Sequence, residues 1–455
     1  MKRHHLMLFA IASAAAAPGI AVRLLGVHLN PPAMALVSGT AILGASFLLL
    51  WACDAAQADI SQTLALAVVA LIAVLPEYAV DMYFTWEAGR HPASDYAHYA
   101  VANMTGANRL LIGVAWGLIA AIYWIRRRRA VRLEPDRRTE LLFLGLATVY
   151  AFIIPIKGTL AWYDGCVFLG IYVWYIILAG RRPCVESEAE GPAELLIRLP
   201  RAGRRIATAL LFLFAAGAIL ANAEPFCEGL VGTGKVLRIN EFVLVQWLAP
   251  IASEAPEFIV ALVFAWRGQA GMALGSLLSA KLNQWTLLVG MIPGVFAVSH
   301  WSLEHPIPMG GFQMHEILLT AAQSLLAVVM LSSLELSLSG AFLLFILFAG
   351  QLVAPSLMAA FPAMTPFGLT TEQIHPIFSI LYLVAAAAIF LQQPRTLLTL
   401  RQGARIDAPS ADPGVGKDVS PDAEASPHIL KTEHCGRCRW RLRAVADEET
   451  RAVPK

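Results

Sequence analysis

The sequence has few charged residues for its length. Of its 455 residues, 15% are Asp, Glu, Lys or Arg, whereas 58% are hydrophobic and the mean hydropathy is +0.62. Soluble domains carry about 25% charged residues, so this scarcity argues against a water-soluble enzyme. The charges also nearly cancel, since the net charge is +2. The chain therefore lacks the excess of positive charge with which proteins bind nucleic acid.

Cysteine is scarce as well, with six residues scattered along the chain. This number and spacing exclude the dense disulfide framework of small secreted domains. Two of the six lie in a tail without long apolar runs, where His434, Cys435 and Cys438 are close together. A structural zinc site needs four ligands. These three residues therefore leave two alternatives open, a metal site or an exposed, reduced tail.

Long apolar runs fill most of the chain. At about 20 residues per membrane span, they predict an all-α integral membrane protein with about twelve transmembrane helices. Pro or Gly within the longer runs predicts tilted or broken helices. Around Pro155, Lys157 and Gly158, either a turn or a kink is possible. The predicted helices are 6–27, 34–53, 60–86, 99–125, 139–156, 160–180, 206–224, 239–266, 270–299, 314–334, 341–360 and 375–392.

The positive charges predict how these helices are oriented. If the N-terminus is cytoplasmic and each helix changes sides, the loop 126–138, with seven arginines, and the segment 181–205, with six, both fall inside. Cytoplasmic loops are enriched in Lys and Arg. The sequence therefore predicts a multi-pass protein of the inner (cell) membrane with both termini cytoplasmic. The basic and then apolar start of the chain leaves open a cleaved signal peptide in place of the first helix.

Two apolar runs carry the same acidic motif. Pro-Glu-x2-Val-x3-Phe-x-Trp begins at Pro76 and begins again at Pro256. Five identical residues at identical spacing indicate an internal repeat. The positive charges make the first of these helices run outward and the second inward. The copies are therefore predicted to be inverted, as in many secondary transporters.

The repeat divides the chain into segments. Five helices in each copy predict a ten-helix core of two inverted five-helix repeats, because an odd number of helices reverses the second copy. The predicted segments are an N-terminal helix (1–33), a first repeat (34–180), a basic cytoplasmic linker (181–205), a second repeat (206–360), an extra C-terminal helix (361–394) and a disordered cytoplasmic tail (395–455).

The acidic residues of the two motifs are Glu77 and Glu257, and a carboxylate inside a membrane is energetically costly. Each costs roughly 2.5–3.5 kcal/mol at a helix centre on insertion scales. The proline before each one frees a backbone carbonyl, and carbonyl and carboxylate oxygens are ligands for Ca²⁺ or Na⁺. Two crossing helices would bring the two glutamates face to face. Two carboxylates in one dry site need a cation or protons between them, and alternation of these occupants is the basis of antiport.

These motifs resemble those of the cation/calcium exchanger superfamily, which contains sodium/calcium and proton/calcium antiporters. Its repeats pair a Gly-Thr-Ser-Leu-Pro-Glu helix with a Gly-Asn-x-x-Gly-Ser-Asn-x-x-Asn helix. The resemblance covers about 34–360 and implies a divergent member, a secondary transporter rather than an enzyme. It implies exchange of Ca²⁺, or a related cation, against Na⁺ or H⁺ by alternating access around two midplane glutamates. Inorganic cations are the implied partners and substrates, within the lipid bilayer and without a cofactor.

The motifs match this chain only in part. Ser253 and Glu254 occupy the Thr and Ser positions of the second copy, and Lys281 occupies an Asn position. Ala107 and Ala280 interrupt the polar face of the partner helix in both copies, which predicts fewer bound ions than in a full sodium/calcium exchanger. The predicted cation-binding residues are Glu77, Glu257, Asn103, Ser253, Glu254 and Ser276, and the predicted accessory or proton-coupling residues are Asp81, Lys281, Asn108 and Gln284.

Alternatives stay open for several of these charges. Lys281 is expected to pair with Glu257 or Glu254, and either to stand in for one cation or to titrate as the proton-coupled element. Otherwise it snorkels to the cytoplasmic end of its helix. Asp81 is either a second acid beside the site or part of an outer vestibule. Glu316 lies near a predicted helix end, where an interfacial charge is the usual explanation.

Two other classes of protein compete with an antiporter. An intramembrane enzyme is disfavoured because no His-Glu-x-x-His pair or Gly-x-Ser-x-Gly elbow lies within a span, and the chain has no P-loop. The alternative is a degenerate, non-transporting relative with a sensory or partner-binding role. Cation flux distinguishes this alternative from a transporter.

Overall fold

The computed structural model describes residues 2–59, 74–181, 191–360 and 373–404. Within these ranges the chain is almost entirely helical, and eleven helical segments are long and apolar enough to cross a membrane. This confirms the all-α membrane class. The first part of the predicted helix 60–86, and the tail residues His434, Cys435 and Cys438, lie outside the described residues.

The helices are numbered here in chain order. They are α1 (Lys2–Leu25), α2 (Pro31–Gln57), α3 (Leu75–Arg90), α4 (Tyr96–Leu110), α5 (Trp116–Arg127), α6 (Arg138–Ala151), α7 (Ile153–Lys157), α8 (Trp162–Ala179), α9 (Ala193–Ile197), α10 (Arg201–Leu237), α11 (Glu241–Trp266), α12 (Ala270–Asn283), α13 (Val289–His300), α14 (Gly311–Leu331), α15 (Leu338–Ala360), α16 (Ile374–Gln392) and α17 (Pro394–Thr399).

Two helix boundaries differ from the predicted ones. Helix α10 continues to Leu237 rather than ending near 224, because Pro225 is accommodated inside it, as membrane helices allow where neighbouring helices pack against them. The region 139–180 contains a turn rather than a kink. Gly158 has φ 72° and ends α7. Glycine adopts this left-handed conformation at little cost. Gly158, and not Pro155, therefore separates α7 from α8.

Two long helices have the same irregularity at corresponding places. A π-helical turn, Leu111–Ala115, joins α4 to α5, and a second one, Gln284–Leu288, joins α12 to α13. Both long helices then end at a residue with positive φ, Arg128 at 54° and Trp301 at 56°. The π-helical turn and the terminal residue of the second long helix each lie 173 residues after their counterparts in the first. Lys281 lies at the same separation from Asn108. The two helices therefore follow one register over their whole length.

Short backbone bridges connect the two halves of the chain at both ends of the α6–α7 segment. At its beginning, β1 (Val131–Arg132) pairs with β2 (Glu335–Leu336) in antiparallel fashion. At its end, Leu160 pairs with Ile307. The loop after α5, which contains β1, thus lies at the beginning of the α6–α7 segment. The corresponding loop after α13, which contains Ile307, lies at the end of that segment. An inverted repeat predicts this arrangement.

The most buried helices lie in the second half of the chain. In the segments Ala270–His300 and Gly311–Leu331, 78% of the residues in an apolar stretch of 18 residues are buried. The corresponding fraction for Arg3–Leu25 is 17%. Helix α1 is therefore peripheral. Near the centre, α4 crosses α11 so closely that a Cβ on Gly106 would lie 1.9 Å from the carbonyl oxygen of Gln246. Glycine at this position lets the two helices that carry polar side chains approach each other.

Candidate cation-binding site

The central contact of the site is made by one amide and two carboxylates. Nε2 of Gln284, at the start of the second π-helical turn, donates hydrogen bonds to Oε2 of Glu77 and to Oε1 of Glu254, each at 2.9 Å. The two glutamates are 2% and 3% exposed. Glu77 lies in the first turn of α3, where free backbone N–H groups favour a negative charge. Carboxylates from the two halves of the chain thus share one donor.

Three oxygens of this cluster have no hydrogen-bond partner within the described part of the chain, namely Oε1 of Glu77, Oε2 of Glu254 and Oε1 of Gln284. Buried polar atoms are usually paired, and carboxylate and amide oxygens are ligands that hard cations prefer. Within residues 2–59, 74–181, 191–360 and 373–404, no three His, Cys, Asp or Glu side chains are spaced to hold a metal ion. A cation here would therefore also need the amide oxygen or backbone carbonyls as ligands.

Glu257 does not take part in this contact. It is half-buried, and the hydrogen bonds of the described residues include none to it. The carboxylate that meets Glu77 is thus Glu254 rather than the predicted Glu257. The difference is one turn of α11, about 4.5 Å along the axis at 1.5 Å per residue.

Asp81 forms a second polar contact one turn further along α3. Nδ2 of Asn103, on α4, donates to Oδ1 of Asp81 at 2.9 Å, and both side chains are fully buried. The charge of Asp81 also acts on Glu77. This burial favours a second acid beside the site over the wall of an outer vestibule. Asn103 therefore orients Asp81 and does not reach the Glu77–Glu254 pair by a hydrogen bond of its own among those described.

Lys281 is fully buried where the two halves meet. Its Nζ donates to Oδ1 of Asn108 at 2.6 Å and to the backbone oxygen of Asn108 at 3.3 Å, and it lies 4.6 Å from the centre of the Trp285 ring. Such burial contradicts the snorkelling alternative. The salt bridges of the described residues include none from Lys281 to Glu254 or Glu257.

The two predicted serines behave differently. Ser253 is buried, but its hydroxyl donates to the carbonyl oxygens of Ala249 and Pro250 in its own helix, at 3.2 and 3.4 Å. Ser276 is exposed and does not join the cluster. Residues eight positions apart diverge by about 80° around a helix with 3.6 residues per turn. Ser276 and Gln284 therefore lie on adjacent rather than identical sides of the helix.

A second buried polar cluster was not predicted from the sequence. Arg109 and Glu316 form an ion pair whose side chains are 1% and 0% exposed. Nε2 of Gln246 donates to the same carboxylate at 2.8 Å, and Nδ1 of His375 lies 3.1 Å from its other oxygen. The interfacial interpretation of Glu316 is wrong, because its side chain is fully buried and paired with Arg109. An arginine inside an apolar run was the signal that could have revealed this cluster.

The fold and this site together define a class of protein, an all-α membrane protein whose central helices direct carboxylate and amide groups towards one another. A model of the family described as sodium/calcium exchanger protein matches residues 31–180 and again 207–357. This chain belongs to that family. The membership confirms the predicted relation to the exchanger superfamily and places the chain among secondary transporters rather than enzymes.

Individual proteins show similarity of different extent. The crystal structure of the H⁺/Ca²⁺ exchanger CAX is 40% identical, with a TM-score of 0.80, and the match covers 88% of this chain and 97% of that one. The sodium–calcium exchanger NCX_Mj is 20% identical, with a TM-score of 0.47, and 72% and 98% of the two chains are covered. An uncharacterised membrane protein of Methanocaldococcus jannaschii is 25% identical over 198 residues, which are 42% of this chain and 60% of that protein.

Proposed function

We propose that this chain is a secondary-active antiporter that exchanges Ca²⁺, or a related cation, against Na⁺ or H⁺. One observation carries the proposal. Glu77 and Glu254, from different halves of the chain, are joined through Gln284 in the protein interior, and each keeps one oxygen without a partner within the described chain. The 40% identity to an H⁺/Ca²⁺ exchanger supports Ca²⁺ as the substrate and H⁺ as the counter-ion.

Exchange follows from the charge of this cluster. Two carboxylates removed from water cannot stay ionised side by side without positive charge between them. Ca²⁺ bound to the free oxygens of Glu77 and Glu254 provides that charge. When Ca²⁺ leaves, protons or Na⁺ must take its place before the site can close again. Glu257 and Asp81 add negative charge next to this pair, and we assign them a supporting role in attracting the cation.

Alternating access requires two halves that can face opposite sides. We propose that 34–180 and 206–360 are inverted copies and that the site lies between them, near the midplane. The backbone bridges at opposite ends of α6–α7 support this proposal, and so do the corresponding π-helical turns. The arginines of 126–138 and 181–205 support cytoplasmic termini in the inner membrane.

Transport by purified protein in liposomes tests the proposal. A pH gradient or a Na⁺ gradient is imposed, and uptake of radioactive Ca²⁺ is measured. Glu77→Gln and Glu254→Gln are each expected to lower uptake on the order of 100-fold, since a bond to a charged group contributes about 1.5–3 kcal/mol. Glu257→Gln is expected to have a smaller effect. Glu241→Gln, in the first turn of the same helix α11, is the matched control and should retain wild-type uptake.

Two results would contradict the proposal. In the first, wild-type protein moves no cation under either gradient, which would favour the non-transporting relative with a sensory or partner-binding role. In the second, Glu77→Gln and Glu254→Gln transport as well as Glu241→Gln does, which would place the exchange site elsewhere.

A further inference from the structure

A groove with a volume of about 860 Å³ lies between α3, α10 and α13. Small and apolar side chains line most of it, among them Ala79 and Met82 of α3, Ala223 of α10 and Gly294 of α13. The volume is in the range of ligand pockets, about 300–1,000 Å³. Among the described residues that line the groove, none belongs to the candidate cation-binding site.

The groove and the cation-binding carboxylate of α3 are on opposite sides of that helix. Glu77 is 2% exposed, whereas Trp86, which lines the groove, is 42% exposed. Nine residues, or about 2.5 turns at 3.6 residues per turn, separate the two positions, so their side chains leave the helix in opposite directions. Asp81, one turn after Glu77, is fully buried like it. The groove is therefore separate from the site proposed for the cation.

The edges of the groove are apolar and exposed. Leu220 and Val298, which line it, are 59% and 61% exposed. Exposed apolar side chains on membrane-spanning helices contact lipid. A Cβ on Gly294 would have no atom of the described chain within 4 Å, so open space lies beside α13. The groove thus opens sideways towards the hydrocarbon of the bilayer, and its occupant needs an apolar chain.

Charged side chains line the groove at the end of α3. Glu87 and Arg90 lie in the last turn of that helix, and Glu224 joins them from α10. Glu224 pairs with Arg23 at 2.8 Å, and Glu87 lies 3.5 Å from His91. The ion pairs of the described residues include none with Arg90. Its guanidinium therefore offers a fork of donors that matches a phosphate group.

The two copies of the acidic motif differ at their final tryptophan. Trp86 ends the first copy and Trp266 ends the second. The guanidinium of Arg126 lies 4.8 Å from the centre of the Trp266 ring and donates to the backbone oxygen of the same residue. At the separation of 173 residues that relates the π-helical turns, the counterpart of Arg126 is Ser299. The cation–π contacts within the described chain include none to Trp86, so its ring is available to a cation from outside the chain.

We propose that this groove binds one zwitterionic phospholipid with an ammonium headgroup, such as phosphatidylethanolamine. An acyl chain lies along the apolar wall, the phosphate binds Arg90, and the ammonium lies on the face of Trp86 beside Glu87. The ammonium takes the place that Arg126 has in the second copy. The acids at this end of the groove disfavour a headgroup with negative charge alone. The bound lipid packs α3 against α10 and α13, and this inference does not depend on cation exchange.

Native mass spectrometry of delipidated protein in detergent tests the site. Phosphatidylethanolamine and phosphatidylglycerol with the same acyl chains are added in turn. The wild type should bind one phosphatidylethanolamine at least tenfold more tightly than further copies of it, and at least tenfold more tightly than phosphatidylglycerol. Gly294→Leu fills the groove and should weaken this binding at least tenfold. Gly217→Leu is the matched control and should bind like the wild type, since Gly217 is an exposed helical glycine of α10 with equally open surroundings.

Variants at the charged end test how the headgroup is recognised. Arg90→Gln should weaken binding of phosphatidylethanolamine at least tenfold, because it removes the charged donor to the phosphate. Trp86→Leu should reduce the preference for phosphatidylethanolamine over phosphatidylglycerol about threefold, because it removes the aromatic face under the ammonium. Trp162→Leu, at another exposed tryptophan, is the control and should leave the preference unchanged. An unchanged preference in Trp86→Leu would contradict the proposed headgroup contact.

Thermal unfolding in the same detergent separates lost binding from lost folding. Phosphatidylethanolamine should raise the melting temperature of the wild type and of Gly217→Leu, but not that of Gly294→Leu. Val298→Trp, which narrows the groove from its exposed edge, is a second filling variant and replaces Gly294→Leu if that protein does not fold. Filling variants that bind phosphatidylethanolamine as well as Gly217→Leu does would refute the site and leave only ordinary bilayer lipid there. Neither measurement uses transport, so the proposed exchange and the lipid site fail or stand independently.

Discussion

The ion pair between Arg109 and Glu316 allows the effect of one substitution on stability to be worked out from burial. Glu316→Gln keeps the size of the side chain and an acceptor for Gln246, but it leaves the guanidinium buried without an opposite charge. Breaking a buried pair in this way costs about 3–5 kcal/mol. At roughly 2 °C per kcal/mol for a large domain, the melting temperature is expected to fall by roughly 6–10 °C.

The measurement is thermal unfolding of detergent-solubilised protein, followed by tryptophan fluorescence. Glu335→Gln is the matched control, because Glu335 pairs with Arg132 at the surface, where the side chains are 45% and 79% exposed. Its melting temperature should change by less than about 2 °C. Replacing both Arg109 and Glu316 by leucine should recover most of the loss, since apolar replacement of a buried pair is often neutral. A Glu316→Gln protein that melts with the wild type would refute the reasoning.

Two further predictions concern packing and pH. Gly106→Ala should destabilise the fold by about 1–3 kcal/mol, because its Cβ would meet the Gln246 carbonyl, whereas Gly170→Ala, with open space around it, should not. Equal melting temperatures for the two variants would contradict this. Arg204 hydrogen-bonds Asp59 and lowers the pKa of that carboxyl below its ordinary value of 3.8. The pair therefore stabilises the fold above this pH, and the stabilisation is lost as the pH falls through the lower pKa of Asp59 in the folded state. Asp59→Asn should therefore lower the melting temperature at pH 7, and a deficit that stays the same at pH 3 would argue against the pairing.

The residues of the candidate site could be selected from the sequence because acidic residues are rare in membrane-spanning helices. A carboxylate in an apolar run is costly, so Glu77, and the pair Glu254 and Glu257, stood out without any structure. The repeated motif also directed attention to Gln284 and Lys281, which were predicted as accessory or proton-coupling residues. Both side chains contact residues of the first half of the chain.

The detailed partners could not be predicted, since they depend on how helices rotate about their axes. The amide of Gln284, the first residue of the second π-helical turn, lies at the level of Glu254 and donates to it. The periodicity of apolar residues in the sequence does not predict such a widened, π-helical turn. The partner of Glu316 was hidden for a related reason, because Arg109 lies 207 residues away in the chain.

The widened turns restrict which changes in chain length these helices can tolerate. Each holds about one residue more than a regular α-helical turn. Removing one residue within such a turn would restore a uniform helix and leave the later side chains in phase, whereas a deletion in the regular parts of the helix would rotate every later side chain by about 100° around the axis. Between Asn103 and Arg128, and between Ser276 and Trp301, a single deletion outside the widened turn is therefore expected to be more disruptive than most substitutions. Evolutionary gain or loss of residues in these helices should be confined to the widened turns and to the loops on either side.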